Sequence, residues 1–334
     1  MIKNYQFFLK DFSNVVIFGA PNKEIISINK EYNLSTTVIT SKDQSKSMDR
    51  KIINYKIFNK IDQRCIKFLK ENSNFKKTLF IGISPRNIFK KETLKLFSNN
   101  FINIHNTRLP LDAGGGGFSW SIMRQDRIHN FCIHIMTEEI DGGPIIEYET
   151  SIYPKKCQLP FDFNNYNNQV FLKCYKKFIK NLIQGSKFDL KPQPHYLSRY
   201  NPRLDTETSG FIDWNMNSYD LINFIDAFDD PYKGASTYLN NGNFGKLYIK
   251  KAQLHGGDTS NHPSMAGIVS RHDKNWIVVC TKSKHMLIIE EINNSKGRNI
   301  IHLIKAGDRF HTPSSKIESG RSKRIIYNSR GKQK

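Results

Sequence analysis

The sequence predicts an α/β protein in which a doubly wound, mostly parallel sheet is followed by a smaller β-barrel. In the first half of the chain, short apolar runs alternate with segments whose apolar residues recur at helical spacing. Strands that alternate with helices in this way favour a parallel, Rossmann-like sheet. After Gly210 the alternation stops, and short β-type runs separated by polar turns replace it. That change favours a second, all-β unit.

Four strands of the sheet are predicted in the first third of the chain. The run TLFIGI at residues 78–83 is apolar throughout, which is typical of a strand buried on both faces. The polar stretch SKDQSKSMDR at residues 41–50 is interpreted as a surface loop. The predicted strands are 15–18, 36–40, 78–83 and 101–105, and helices are predicted over 22–32, 61–71 and 90–97.

The rest of the chain supplies further elements and the predicted domain boundaries. Strands are expected at 131–136 and 145–152, and an amphipathic helix at 169–183. A helix at 218–228 and a hairpin around Asn240-Asn241-Gly242 precede three more β-type runs. We therefore expect a sheet domain over 1–190, a proline-marked linker over 191–209, a helix–hairpin and barrel domain over 210–313, and a basic, loosely ordered tail over 314–334.

Composition restricts the class of protein but does not choose a partner. The chain carries 51 lysines and arginines against 30 aspartates and glutamates, which gives a formal net charge of +21. This charge favours an anionic partner such as a nucleic acid, but a lysine-rich composition along the whole chain explains it as well. Five scattered cysteines without a Cys-x-x-Cys pair indicate a reducing cytoplasm. No apolar run reaches the ~18 residues of a membrane span, and the amino-terminal stretch has no signal-peptide core.

The main functional signal lies between residues 103 and 144. Asn103 and His105 stand two apart near the carboxyl end of a predicted strand, so their side chains share one face. Four glycines follow at 114–117, and the turn Asp141-Gly142-Gly143-Pro144 comes after the next strand. Ligands of doubly wound sheets bind outside the carboxyl ends of the strands. An amide, an imidazole and a carboxylate around a glycine-walled gap are what acyl-transfer chemistry requires.

Each of these pieces also has a plainer interpretation. A histidine on a strand is often a hydrogen-bonded core residue, and Asp-Gly-Gly-Pro is often only a turn. His105, Cys132 and His134 suggest a metal site, but the sequence has no His-Glu-x-x-His motif, and we interpret Cys132 and His134 as core packing. Gly19-Ala20-Pro21 lacks the Gly-x-Gly-x-x-Gly spacing of a dinucleotide site. Neither a metal nor a nicotinamide cofactor is therefore expected.

Taken together, the order Asn-x-His, Leu-Pro, glycines, Trp120 and Asp-x-Gly-Pro-Ile resembles the formyltransferase family that uses 10-formyltetrahydrofolate. The resemblance covers roughly residues 15–312 and implies a formyltransferase fold with an OB-like barrel at its carboxyl end. One departure is Asp112-Ala113-Gly114, where family members often carry an aromatic residue, arginine and glycine. The resemblance implies catalytic roles for Asn103, His105 and Asp141, and cofactor contacts for Ser84, Arg86, Asn87, Ile88 and Gly142.

The implied reaction moves a formyl group from the cofactor to a primary amine. A tetrahedral intermediate places negative charge on the formyl oxygen, and a donor aimed at that oxygen lowers the barrier by ~3 kcal/mol. We expect the Asn103 side-chain amide to be this donor. Histidine ordinarily titrates near neutrality, so His105 is suited to moving protons. Asp141 either orients His105 or takes the proton itself, and both roles stay open.

The acceptor amine is less constrained than the chemistry. The resemblance suggests a nucleotide-linked amino-deoxy sugar for surface polysaccharide or methionyl-tRNA. We favour the sugar because the tRNA enzymes usually carry a longer basic insertion at 41–50 and an arginine in place of Ala113. A non-catalytic nucleic-acid-binding protein is a second alternative, since the charge and the OB-like half would suit it, but the sequence has no RNP-like motif. A homodimer is also left open.

Overall fold

The computed structural model of the protein describes residues 6–48, 54–256, 261–325, 327–328 and 331–332. Seven strands form the larger sheet: β1 (Asn14–Gly19), β2 (Ser35–Thr40), β3 (Tyr55–Ile57), β4 (Thr78–Ile83), β5 (Phe101–His105), β6 (Ile128–Ile135) and β7 (Ile145–Ile152). Their order is β3-β2-β1-β4-β5-β6-β7. The first five strands are parallel, and β6 and β7 run antiparallel to their neighbours. The predicted mostly parallel sheet is confirmed.

Five helices accompany the strands of this sheet in the chain: α1 (Lys23–Glu31), α2 (Gln63–Asn72), α3 (Lys91–Leu94), α4 (Gly117–Met123) and α5 (Pro160–Ile183). Helices α1 and α5 pack against one face and α2 packs against the other. Leu79, Phe80 and Ile81 in β4 are consequently all inaccessible to solvent. This two-sided burial explains why TLFIGI is apolar at successive positions instead of alternating.

Two of these helices begin at residues that cap them. The Asn22 side chain accepts a hydrogen bond from the Ile25 amide at the start of α1. The Asp62 carboxylate accepts from the Arg64 and Cys65 amides at the start of α2. Asparagine and aspartate at this position satisfy amides that the helix itself leaves unpaired.

A cluster of phenylalanines fixes the strand that carries Asn103. The ring of Phe101, the first residue of β5, lies 4.8 Å from the ring centroids of both Phe89 and Phe97. Phe80 packs edge-on against Phe97 at 4.6 Å. Edge-to-face aromatic packing of this kind favours one arrangement of the rings over others. The amino end of β5 is therefore anchored in this aromatic cluster, two residues before Asn103.

The second sheet has six antiparallel strands: β8 (Ala235–Leu239), β9 (Leu247–His255), β10 (Val269–His272), β11 (Ile277–Val279), β12 (Met286–Asn294) and β13 (Phe310–His311). Their order is β10-β11-β12-β9-β8-β13. The Phe310 amide donates to the Gly267 carbonyl and the Val269 amide to the Asp308 carbonyl, both at 2.8 Å. These bonds join the two ends of the sheet, so it curls into the predicted small barrel.

The two sheets share packed side chains. Helix α6 (Thr206–Ser209) and helix α7 (Ser218–Ala227) lie between them in the chain. Ile122 of α4 and Phe163 of α5 belong to the same apolar cluster as the barrel interior. The Ser119 hydroxyl donates to the Ala227 carbonyl at 2.8 Å. The exact domain boundaries remain a prediction.

No helix in the described part of the chain is long and apolar enough to cross a membrane.

The stretch interpreted as a surface loop differs from that expectation. Ser41, Gln44, Ser45 and Met48 are all buried, and Gln44–Ser47 forms a short 3-10 helix. The Gln44 side-chain amide donates to the Ser84 carbonyl at 3.0 Å. Short polar side chains can be buried when they bond to main chain or to each other, so polarity alone did not indicate exposure. Residues 49–50 of this stretch lie outside the described residues.

The tail predicted to be loosely ordered begins with a helix, α8 (Ser314–Ser322). Arg321 forms an ion pair with Asp213 at 3.1 Å, and Lys323 forms one with Asp205 at 3.3 Å. A Cβ atom on Gly320 would lie 2.1 Å from the Thr208 carbonyl oxygen. The helix is held by tertiary contacts with residues 205–213, which its polar, basic sequence does not indicate. Residues 326, 329–330 and 333–334 of the predicted tail are not among those described.

A Gly320→Val substitution should loosen this packing, because the added carbons cannot occupy space that the Thr208 carbonyl fills. We expect a loss of about 1–3 kcal/mol in the free energy of unfolding, as for other overpacked contacts. Urea denaturation measures the loss. Ser319→Val is the matched control, since Ser319 is exposed on the same helix. Equal stability of the two variants would contradict the proposed close contact.

Candidate active site

Asn103, His105 and Asp141 converge at the carboxyl edge of the larger sheet. Asn103 and His105 come from β5, and Asp141 lies in the turn between β6 and β7 with a φ of 54°. The Asn103 amide nitrogen lies 3.3 Å from Asp141 Oδ1, and His105 Nε2 lies 3.6 Å from Asp141 Oδ2. The sequence predicts that these three side chains share one site, and the described geometry brings them together.

The Asp141 turn is held from several sides. Its Oδ2 atom accepts a hydrogen bond from the Gly114 amide at 2.9 Å. The Gln193 side chain donates to the carbonyls of Asp141 at 2.8 Å and Gly143 at 2.6 Å. A Cβ atom on Gly143 would lie 1.9 Å from the Ile135 carbonyl oxygen, so only glycine fits there. The carboxylate therefore has a fixed position relative to β5.

His134 is a member of the site that the sequence analysis interpreted as core packing. It pairs with Asn103 across the antiparallel strands β5 and β6, and its Nε2 atom lies 3.0 Å from the Asn103 amide nitrogen. Its Nδ1 atom lies 2.9 Å from the Ile135 carbonyl oxygen, which can only accept, so Nδ1 carries the proton. Nε2 is then free to accept a bond from Asn103.

Burial keeps His134 neutral. It lowers the pKa of His134 to about 4, and the nearby Asp141 carboxylate only partly opposes this effect. His134 is therefore a fixed hydrogen-bond acceptor at neutral pH and not a proton carrier. The contact arises because the antiparallel register of β5 and β6 places residues 103 and 134 directly opposite each other.

The site contains two buried polar atoms that find no hydrogen-bond partner among the described residues. They are the side-chain oxygen of Asn103 and Nε2 of His105. Buried polar atoms are normally satisfied, so such atoms in a cleft point to a ligand. Both hydrogens of the Asn103 amide are directed at His134 and Asp141. Donation from Asn103 to a formyl oxygen would therefore require release of the longer bond, the one to Asp141.

The metal-site alternative finds little support in the geometry. Within the described residues there is no group of three or more His, Cys, Asp or Glu side chains that could hold a metal ion. Cys132 pairs with His105 across the sheet and is inaccessible to solvent. Burial raises the pKa of the Cys132 thiol to about 12, so the thiol is protonated and is not a nucleophile at neutral pH.

A cavity of about 730 Å³ opens beside the three side chains. Of the predicted cofactor contacts, Ser84, Asn87 and Ile88 line it. Arg86 lines an adjoining cavity of about 440 Å³, and Gly142 lines neither. Other lining residues that the sequence analysis did not single out come from the glycine loop, α5, the linker and the segment after α8; they include Phe118, Asn164, Asn168, Tyr200, Arg203 and Ile325.

A doubly wound sheet that presents an amide, an imidazole and a carboxylate at its carboxyl edge defines an enzyme of the acyl-transfer class. Residues 24–156 match the family model described as Formyl transferase, and residues 206–302 match Formyl transferase, C-terminal domain. The chain belongs to the formyltransferase family, as its motifs predicted.

Individual relatives agree with this assignment. The chain is 25% identical over 215 residues to the bifunctional polymyxin resistance protein ArnA of Wigglesworthia glossinidia brevipalpis, with 61% of the chain and 30% of that protein covered. It therefore spans less than a third of this curated relative. It is 24% identical to methionyl-tRNA formyltransferase of Clostridium perfringens, with 68% of the chain and 71% of that protein covered.

A solved structure shows the same fold. The N-formyltransferase from Helicobacter canadensis, in complex with folinic acid and dTDP-3-aminofucose, superimposes with a TM-score of 0.58 at 15% identity. The match covers 84% of the chain and 99% of that structure. The similarity at this level of identity concerns the fold alone.

Proposed function

We propose that this protein transfers a formyl group from 10-formyltetrahydrofolate to a primary amine. The observation that carries the proposal is the convergence of Asn103, His105 and Asp141 at a cavity, with polar atoms of Asn103 and His105 left without partners. Family membership supports it, and so does the folinic acid bound to the Helicobacter canadensis enzyme.

The residues present fit the proposed co-substrate. The cavity has the size of sites that take drug-sized ligands, for which 300–1,000 Å³ is typical. Its lining includes apolar residues, among them Ile88 and Phe89, together with residues 137–141. The flat, partly polar ring system of the proposed co-substrate needs both apolar contacts and hydrogen-bonding groups at its edges. We assign contacts with the co-substrate to Ser84, Asn87 and Ile88, but not to Arg86 or Gly142, which lie outside this cavity.

The proposed reaction forms a bond between the acceptor nitrogen and the formyl carbon and breaks the bond from that carbon to N10. The acceptor nitrogen loses a proton and N10 gains one. His105 Nε2, which has no hydrogen-bond partner among the described residues, is placed to accept or return that proton, and Asp141 lies 3.6 Å away to stabilise the imidazolium. The Asn103 amide and the protonated His105 are the available donors to the oxyanion.

We favour a nucleotide-linked amino sugar as the acceptor. Residues 41–48 fold back onto Ser84 and do not project from the domain. Ala113, at the position where tRNA enzymes usually carry arginine, is buried and presents no positive charge. Methionyl-tRNA is the second candidate, because the barrel and the net charge of +21 would suit an RNA backbone. A non-catalytic nucleic-acid-binding role would not require the three converging side chains.

The two acceptors should differ in the salt dependence of binding. Each phosphate contact releases counterions, with a slope of about −0.9 in log K against log salt per contact on a duplex. A sugar nucleotide has only a diphosphate, so its KM should rise shallowly between about 50 and 200 mM salt, whereas tRNA binding would weaken by about 10³-fold or more. Steady-state assays with both acceptors and mass spectrometry of the products test the assignment. Formylated methionyl-tRNA with a steep salt slope would reverse it.

A further inference from the structure

Asp112 is a buried carboxylate surrounded by cationic side chains, and only 7% of it is exposed. Its Oδ1 atom accepts hydrogen bonds from Arg199 at 2.6 Å, Arg124 at 3.1 Å and Asn201 at 3.2 Å. Its Oδ2 atom lies 3.6 Å from the guanidinium of Arg108. The Asp112 side chain therefore links three segments of the chain that are distant in sequence.

Two of these partners belong to the linker between the domains. Arg199 and Asn201 lie on a short extended segment that pairs in parallel with residues 113–114. The Ala113 amide donates to the Arg199 carbonyl at 3.1 Å, and the Gly115 amide donates to the Asn201 carbonyl at 2.9 Å. The linker is thus bonded to the glycine loop through both its side chains and its main chain.

This pairing bears directly on the active site through Gly114. Gly114 lies between the two main-chain bonds, and its own amide donates to Asp141 Oδ2 at 2.9 Å. A Cβ atom at Gly114 would lie 2.3 Å from the Asn201 carbonyl oxygen, and its φ is +98°, so the linker can approach this closely only because the residue is glycine. The position of the linker therefore decides where the Gly114 amide points.

Asp112 is charged under working conditions. Burial alone would oppose ionisation, but the hydrogen bonds from Arg199 and Asn201 and the charge of Arg124 together hold its pKa below the ordinary value. Arg108 also forms an ion pair with the neighbouring Asp126 at 3.0 Å, so Asp112 and Asp126 share this arginine. Loss of the Asp112 charge would leave Arg124 and Arg199 close together without their common partner.

We propose that Asp112 is a positioning residue for formyl transfer, which clasps the linker to the glycine loop and thereby aims the Gly114 amide at Asp141. The inference depends on the function proposed above. It assigns a role to a position at which this chain departs from the aromatic residue frequent in its family. Asp112 is not among the described residues that line the cavity, because its side chain bonds to the linker and is buried.

Steady-state kinetics of Asp112→Asn test the proposal. Asparagine keeps the size and one acceptor oxygen but loses the charge. We expect kcat to fall by about 10–100-fold, the range typical of a misplaced catalytic group, while KM for 10-formyltetrahydrofolate changes by less than about twofold. Asp213→Asn is the matched control, because it breaks another aspartate–arginine pair between distant segments without touching the site. Its kcat should equal that of the wild type.

Hydrogen exchange distinguishes positioning from a general loss of stability. In Asp112→Asn, the amides of residues 114 and 115 should exchange faster than in the wild type, while amides in the middle of β4 stay protected. Arg199→Leu removes the bond between Asp112 and the linker from the linker side. It replaces Asp112→Asn as the test variant if Asp112→Asn folds poorly. The double variant should lose little more kcat than either single variant, since both substitutions break the same link.

The results of these measurements distinguish failure of the Asp112 proposal from failure of the proposed function. Wild-type kcat in both Asp112→Asn and Arg199→Leu would overturn the proposal, as would a lower kcat with unchanged exchange at residues 114–115. If the wild-type protein formylates no acceptor, the proposed function fails. Unchanged exchange in the variants would then overturn the clasp as well. Faster exchange confined to residues 114–115 would show that Asp112 holds the linker on the glycine loop even though the proposed function has failed.

Discussion

Replacing His105 by asparagine is expected to lower the kcat of formyl transfer by about 10²–10⁴-fold, the range that positioned acid–base groups supply. Asparagine can still form hydrogen bonds but cannot carry a proton between the acceptor nitrogen and N10. His105 Nε2 has no hydrogen-bond partner among the described residues, so the substitution breaks no hydrogen bond of that atom and the melting temperature should stay close to that of the wild type. Product formation by mass spectrometry and thermal unfolding measure the two effects.

Asp141→Asn should have an effect of the same order on kcat. The substitution removes the charge that stabilises a protonated His105 at 3.6 Å. It also places an amide group opposite the Asn103 and Gly114 donors, so one of those bonds is lost. Glu139→Gln is the control, since Glu139 lines the same cavity but is exposed and lies outside the convergent group. A near-wild-type rate in Asp141→Asn would show that the catalytic assignment is wrong.

A third large effect is expected at His134, which does not line the cavity but contacts Asn103 at 3.0 Å and lies 3.8 Å from Asp141. His134→Leu leaves a buried Asn103 hydrogen without an acceptor, which costs about 1–3 kcal/mol of folding stability. It also frees the Asn103 amide to rotate, and we expect kcat to fall by about 10²-fold. His134→Gln can return an acceptor oxygen and should recover part of the lost activity. Equal activity in His134→Leu and the wild type would contradict a role for this contact.

The pH dependence of stability gives an independent test of His134. Its pKa is lowered to about 4, so the unfolded chain binds a proton at this residue more readily than the folded one. The neutral folded form contributes stability above the ordinary histidine pKa, and this contribution is lost as the pH falls from about 6.5 towards 4. The stability of wild type relative to His134→Gln should therefore decline over that window. A constant difference between pH 7 and pH 4.5 in urea titrations would contradict the buried, neutral state.

Much of the architecture could be predicted from local patterns. The strand at 78–83 is apolar at successive positions because both faces of the sheet are covered, and that requirement is visible in the sequence itself. Asn103 and His105 could be placed on one face because side chains alternate along any strand. Asp141 was indicated by its turn residues and by the family motif. These features depend on neighbours within a few residues, so the sequence by itself determined them.

The remaining features depend on which distant segments meet. His134 looked like core packing until the register of β5 and β6 set it opposite Asn103. Asp112 looked like a departure from a motif until the linker placed Arg199 and Asn201 against it. The stretch at 41–50 looked exposed and the segment of helix α8 looked loosely ordered, because their polar side chains find partners only in the folded protein. A hydrogen bond between residues far apart in sequence leaves no periodic signal in either segment, so only the tertiary structure could decide these contacts.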